Sequence, residues 1–240
     1  MRRRIILALL ATSAVLGAIV ATSRGRNLIW SAYTRIRGRY TVEERLEQYG
    51  QAARQRLRPA FDRAGVDYPP QTVGLLVLKE QRRMEVYAGA DADHLKFIGA
   101  YPIEGVSGKL GPKLREGDRQ VPEGRYEVES LNPNSRFHLA LRLNYPNEFD
   151  KEMGRKDGRE KLGSDIMIHG GSASIGCLAM GDIVAEELFV LVADAGAANT
   201  FVVIAPVDLR IKPEWTGPSD LPAWVDSLYA KLRITMRGFP

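Results

Sequence analysis

Between Val42 and Ala64 the apolar residues Val42, Leu46, Tyr49, Ala53, Leu57, Phe61 and Ala64 recur at steps of three or four, the period of one helix face. This predicts a helix over 41–65 that packs on the following domain or spaces it from a membrane. Thr41 with Glu44 gives it a capping-box start, and Pro59 is expected to kink or split it. From Thr72 the pattern shortens to runs rich in β-branched and aromatic residues, broken by Gly, Pro or Asn. These runs predict strands at Val73–Lys79, Arg83–Ala88, Leu95–Tyr101, Tyr126–Ser130, Phe137–Leu143, Ile166–His169 and Phe201–Ala205. Asp182–Ala195 reads as a buried helix, apolar at Ile183, Leu188, Leu191 and Val192, with Asp182 as N-cap. A short amphipathic helix follows Pro222, with Trp224, Val225, Leu228, Tyr229 and Leu232 on one face. The expected fold is mainly β with flanking helices, an α+β class.

The first 23 residues belong to none of these elements. Arg2, Arg3 and Arg4 precede a 17-residue apolar stretch from Ile5 to Ala21, which reads as a signal peptide or an N-terminal membrane anchor. The expected organisation is this segment at 1–23, a helical juxtamembrane segment at 24–71, a catalytic domain at 72–207 and a helical extension at 208–240. The rest of the chain is then expected outside the cytoplasm, periplasmic or on the outer side of the inner membrane.

Charge sharpens that division. Of the +5 formal charge on the 240 residues, positions 1–58 carry +9, with 12 arginines against 3 glutamates, and the remainder carries −4. The bulk of the chain therefore has no general pull on nucleic acid. Hydrophobic residues at 45% and charged residues at 26% are ordinary globular values, which excludes a disordered or polytopic chain. Cys177 is the single cysteine, so neither an internal disulfide nor a multi-cysteine zinc site can form.

The chemistry concentrates at Ile166–Cys177. A short apolar strand delivers His169, a run of small residues comes next, and the run ends in Cys177. Small residues let the backbone turn sharply and a substrate approach closely. A thiol needs a base or a positive neighbour to act as a nucleophile at neutral pH, and His169 can supply it. The expected thiol is more reactive than a free cysteine. The backbone N–H groups of Gly176 and Cys177 are candidates to meet a developing oxyanion. Chain order narrows the class: His94, His138 and His169 all precede the cysteine, the reverse of papain-like proteases. Ser172 and Ser174 lack the G-x-S-x-G elbow and Ser–acid–His order of α/β-hydrolases. His138, His169 and Cys177 show no metal-ligand spacing, so no metal site is expected.

These residues resemble the catalytic domain of the L,D-transpeptidase (YkuD-type) family. The strand ending in His169-Gly170, the small-residue loop and Ser174-Ile175-Gly176-Cys177 carry the resemblance. So do Gly111-Pro112, Gly117-Asp118 and Val121-Pro122-Glu123-Gly124-Arg125-Tyr126. Phe137-His138-Leu139, Asn144-Tyr145-Pro146-Asn147 and Cys177-Leu178-Ala179-Met180-Gly181-Asp182 are similar to the YafK-like branch. The resemblance implies a β-sandwich-like domain that attacks amides next to meso-diaminopimelate in peptidoglycan stem peptides. Cys177 would be nucleophile and His169 general base, through a thioester, with no metal or organic cofactor. Ser174, His138, Arg125 and Lys113 are substrate-binding candidates. Ile175 stands where the commoner motif has a second histidine, and the His169–Cys177 spacing is shorter than usual. These departures keep alternatives open: a hydrolytic amidase releasing a peptidoglycan-linked lipoprotein, or a non-catalytic peptidoglycan-binding module.

Overall fold

The computed structural model describes residues 39–240; the apolar segment at 1–23 lies outside them. Within the described residues no helix is long and apolar enough to cross a membrane. Residues Val42–Pro240 form one compact unit, built on nine strands in the order β3-β2-β1-β9-β5-β6-β7-β8-β4. In chain order these are β1 (Thr72–Leu78), β2 (Arg83–Gly89), β3 (Leu95–Pro102), β4 (Gly105–Val106), β5 (Gly124–Ser135), β6 (His138–Leu143), β7 (Met167–His169), β8 (Leu178–Ala179) and β9 (Thr200–Ala205). Four α-helices accompany them: α1 (Val42–Ala64), α2 (Glu148–Lys156), α3 (Asp182–Ala195) and α4 (Val225–Met236). The mainly-β reading with flanking helices holds.

The sheet is mixed. The pairs β1–β9 and β7–β8 are parallel, the others antiparallel. Its halves are joined by β5, whose residues Gly124–Glu127 pair with β9 while Val128–Ser135 pair with β6. Sequence predicted only the first part of β5, because Asn132-Pro133-Asn134 reads as a turn. The register shifts between Asn132 and Ser135, and a proline is tolerated at such a bulge.

Both faces of β1 and β9 are covered, which explains their nearly continuous apolar runs. Val73, Leu75, Val77, Val202 and Ile204 face a core shared with β6, α1 and α3. Leu76, Leu78, Phe201, Val203 and Ala205 face a second core closed by α4. The expected break at Pro59 does not occur, and α1 runs through it. Pro59 and Gln55 are exposed, so the carbonyl that loses its partner four residues back is solvated rather than buried. Helix α1 packs on α3 through Leu57 and Phe61 and through ion pairs from Arg54 to Asp194 and from Arg56 to Glu186 and Glu187. Ile183, expected among the buried residues of α3, is exposed.

Candidate active site

Strand β7 ends at His169, β8 begins one residue after Cys177, and the two run side by side with His169 opposite Ala179. Cys177 lies in the bend that leads into β8, two residues before Ala179, the residue opposite His169. The seven-residue loop between them is stitched to the turn that joins β8 to α3. Met180 N–H donates to His169 O (2.8 Å), and Gly181 N–H to Gly171 O (2.9 Å). Asp182, expected to cap α3, does something else. Gly181 occupies the N-cap position, and Asp182 Oδ1 accepts the N–H of Gly171 at 2.8 Å. Gly170 has no room for a side chain, since a Cβ there would lie 2.5 Å from Asp182 Oδ1 and 2.8 Å from Phe137 O. Gly176 adopts φ +125°, a conformation open mainly to glycine.

His169 is 2% exposed. Its Nδ1 lies 2.6 Å from Gly170 O. A carbonyl can only accept, so Nδ1 carries the proton and Nε2 is left as the basic nitrogen. The ring of Phe137 stacks on the imidazole, with centroids 4.7 Å apart and planes at 24°. Burial holds the His169 pKa below its ordinary value, against the opposing bond to Gly170. Burial pushes the Cys177 thiol up, and Asp165 adds to this, while the Met167 backbone N–H and the Lys113 charge oppose it. The thiol donates to Asp165 O at 3.5 Å. Both directions favour a neutral thiol beside a neutral imidazole. That differs from the sequence expectation of a thiolate-rich cysteine, because the same burial that shelters the site penalises both charged forms.

Cys177 and His169 line one cavity of about 760 Å³. Of the substrate-binding candidates, Lys113 also lines it; its ammonium is paired with Asp118 and donates to Arg115 O. The other three are placed elsewhere. His138, at φ +72°, is held by Glu186 (Nε2–Oε1 3.1 Å) and the edge of Tyr49. Arg125 stacks over Phe201 at 4.8 Å, on the α4 side of the sheet. Ser174 serves the loop itself, donating to Cys177 O at 2.7 Å and meeting Ser107 Oγ at 2.9 Å. Gly176 N–H makes a long 3.4 Å bond to Ser174 Oγ. Sequence reasoning missed Asp165, Arg119 and Arg136 and gave Phe137 no role beyond a quoted motif; Arg136 and Phe137 line the cavity from the β5–β6 turn and the other two from separate loops. Asp182 stood in a quoted motif, but its link to Gly171 had no signal in spacing. Among the described residues no group of three or more His, Cys, Asp or Glu is placed to hold a metal ion.

The YkuD family, described as the L,D-transpeptidase catalytic domain, matches residues 72–204 of this chain. A relative in Escherichia coli (strain K12), named "Putative L,D-transpeptidase YafK", is 35% identical over 135 residues, covering 54% of this chain and 52% of the relative. The same values hold for its counterpart in Escherichia coli O157:H7. The chain spans about half the length of the curated relatives it matches. Among solved structures, the helical cell shape determining protein Pgp2 (K307A mutant) from Campylobacter jejuni aligns with TM-score 0.47 at 23% identity, over 70% of this chain and 54% of that one. Bd1075 of Bdellovibrio bacteriovorus aligns with TM-score 0.42 at 24% identity, over 71% and 58%.

Proposed function

Because the chain belongs to the L,D-transpeptidase catalytic-domain (YkuD) family, we propose that it is a peptidoglycan-modifying cysteine enzyme acting on amides at meso-diaminopimelate of stem peptides. The observation that carries this reading is the shared cavity that Cys177, just before β8, and His169, at the end of the neighbouring β7, both line. The reaction starts from the neutral pair. As Sγ attacks the amide carbonyl, Nε2 of His169 takes the thiol proton. The resulting oxyanion is met by the N–H of Cys177 and by that of Gly176, whose weak bond to Ser174 is exchanged for a stronger one to a charged oxygen. Collapse breaks the C–N bond, the imidazolium returns the proton to the leaving amine, and a thioester on Cys177 remains. An amine acceptor resolves it as a cross-link; water resolves it by hydrolysis, the amidase outcome, with a peptidoglycan-linked lipoprotein as one partner. Such chemistry places the working domain outside the cytoplasm, on the periplasmic side of the inner membrane, with residues 1–23 as signal or anchor.

The test is incubation of the purified chain with sacculi, with and without bound lipoprotein, and then mass analysis of muropeptides. New diaminopimelate-to-diaminopimelate dimers identify the transpeptidase, and released lipoprotein or peptide with a free amine, left beside stems that end in a free diaminopimelate carboxylate, identifies the amidase. Products that are the same for the parent and for Cys177→Ala, or absent from both, would replace the enzyme with a binding module.

A further inference from the structure

The cavity around Cys177 carries positive charge that the sulfur chemistry leaves unused. Besides His169, five ionisable side chains line it: Lys113, Glu116, Arg119, Arg136 and Asp165. Two have partners outside it: Lys113 pairs with Asp118, and Asp165 pairs at 2.8 Å with Arg142, which Glu129 shares. Among the described residues Arg119 and Arg136 have no ion pair, against the single carboxylate of Glu116, so the lining keeps an excess of positive charge.

The two arginines reach the cavity from different segments, Arg119 from the loop between β4 and β5 and Arg136 from the β5–β6 turn. Arg119 sits at φ +55°, an uncommon conformation for a residue with a side chain. Asp118 fixes that turn by accepting the N–H groups of Leu114, Arg115 and Gln120, each at 3.0 Å. Arg136 lies in the β5–β6 turn, next to Phe137, whose ring covers His169. Asn132 and Asn134, near the end of β5, add neutral polar groups to the wall. A planar fork of donors matches a carboxylate and keeps its charge at every working pH.

We propose that Arg119 and Arg136 form a carboxylate subsite that holds a free carboxylate of the acyl donor while Cys177 attacks its amide carbonyl. The proposal rests on the acyl-transfer reading for the identity of its ligand. It replaces Arg125, which the fold turns to the other side of the sheet, as the arginine that meets substrate.

Two alkylating agents separate the subsite from the reaction. Iodoacetate and iodoacetamide both alkylate the thiolate with loss of iodide, but only iodoacetate is anionic. The ratio of their rates cancels general changes in thiol access. At low ionic strength the ratio for Cys177 is expected to exceed that of a small free thiol by roughly fivefold, a surface-scale Coulomb effect. It should fall to the free-thiol value in Arg119→Gln/Arg136→Gln and in high salt. A ratio that is the same in the parent and the double variant would overturn the subsite. In a second arm, turnover of a tetrapeptide stem is compared with that of its carboxamide. The subsite predicts a higher KM for the carboxamide, and for the double variant on the carboxylate alone. Turnover indifferent to both changes would overturn the subsite and leave the reaction standing. Anion preference without any peptide turnover would remove the acyl-transfer reading and with it the ligand assigned here.

Discussion

At the scale of single residues, the site depends on two side chains kept neutral by the same burial. His169 sits below its ordinary pKa and Cys177 above its own. The stacked ring of Phe137, 43% exposed on its outer side, is the part of the His169 enclosure that a mutation removes without touching the sheet. Phe137→Ala is therefore expected to raise the His169 pKa toward 6.5, the ordinary histidine value. The shift is readable by NMR titration of the His169 ring. An unmoved His169 would assign its burial to β6 and β8 instead. Unfolded His169 binds a proton more readily than folded His169, so this residue costs stability as pH falls below its unfolded value. Phe137→Ala should weaken that dependence. Cys177 and His169 were legible because strand, small-residue loop and cysteine are contiguous. Arg119 and Arg136 were not, because the cavity wall joins two turns that lie apart in sequence. Arg125 was misplaced because its charge shows in the sequence and its face of β5 does not.

At the scale of elements, long periodic segments were read well and short ones were missed. Helix α1 was predicted to within a residue at each end, since seven apolar positions repeat along it. Strands β4 and β8, two residues each, are too short for any alternation to show. Helix α2 has only Phe149 and Met153 as apolar residues in nine, and its capping box is built from Asn147 and Asp150 rather than the commoner Ser/Thr and Glu. Asn147 Oδ1 accepts from Asp150 N–H at 3.0 Å, and Asp150 Oδ2 accepts from Asn147 N–H at 3.1 Å. Burial pushes the Asp150 pKa up to about 6, against the pull of the Asn147 bond. A carboxyl raised in the folded state stabilises fully below its unfolded pKa, and that contribution is lost as pH rises through 6. The raised value corresponds to about 2 kcal/mol between pH 4 and pH 7. Asp150→Asn does not titrate, so its stability relative to the parent should improve by about that amount over this range. Urea denaturation at the two pH values measures it, and parallel behaviour of parent and variant would contradict the burial argument.

At the scale of the whole molecule, both flanking helices reach the cavity walls. Helix α1 holds the end of the β5–β6 hairpin, through Arg45 Nε to Pro133 O at 3.0 Å and Tyr49 against His138. Helix α4 holds the loop that carries Lys113 and Arg119. Tyr229 donates to Glu123 at 2.9 Å, and the buried Lys79 ammonium donates to Glu123, Gly111 O and Val121 O at 2.8, 2.9 and 3.0 Å. Loss of one member would leave a buried charge uncompensated, so the two ends of that loop stay fixed while its tip faces the cavity. The sequence placed helices at both ends of the β domain, but an ion pair between Lys79 and Glu123, forty-four residues apart, leaves no local trace.

The claim on which the rest depends is that Cys177 forms a covalent acyl intermediate with His169 as its base. Intact-protein mass spectrometry after rapid mixing with a tetrapeptide stem fragment tests it most directly. The expected result is an adduct with the mass of the donor less its leaving amine, mapped to Cys177 and released by hydroxylamine. It should be absent in Cys177→Ala and form about 10²- to 10⁴-fold more slowly in His169→Ala. Turnover of the fragment with no adduct on Cys177, or an adduct that forms equally fast without His169, would contradict it.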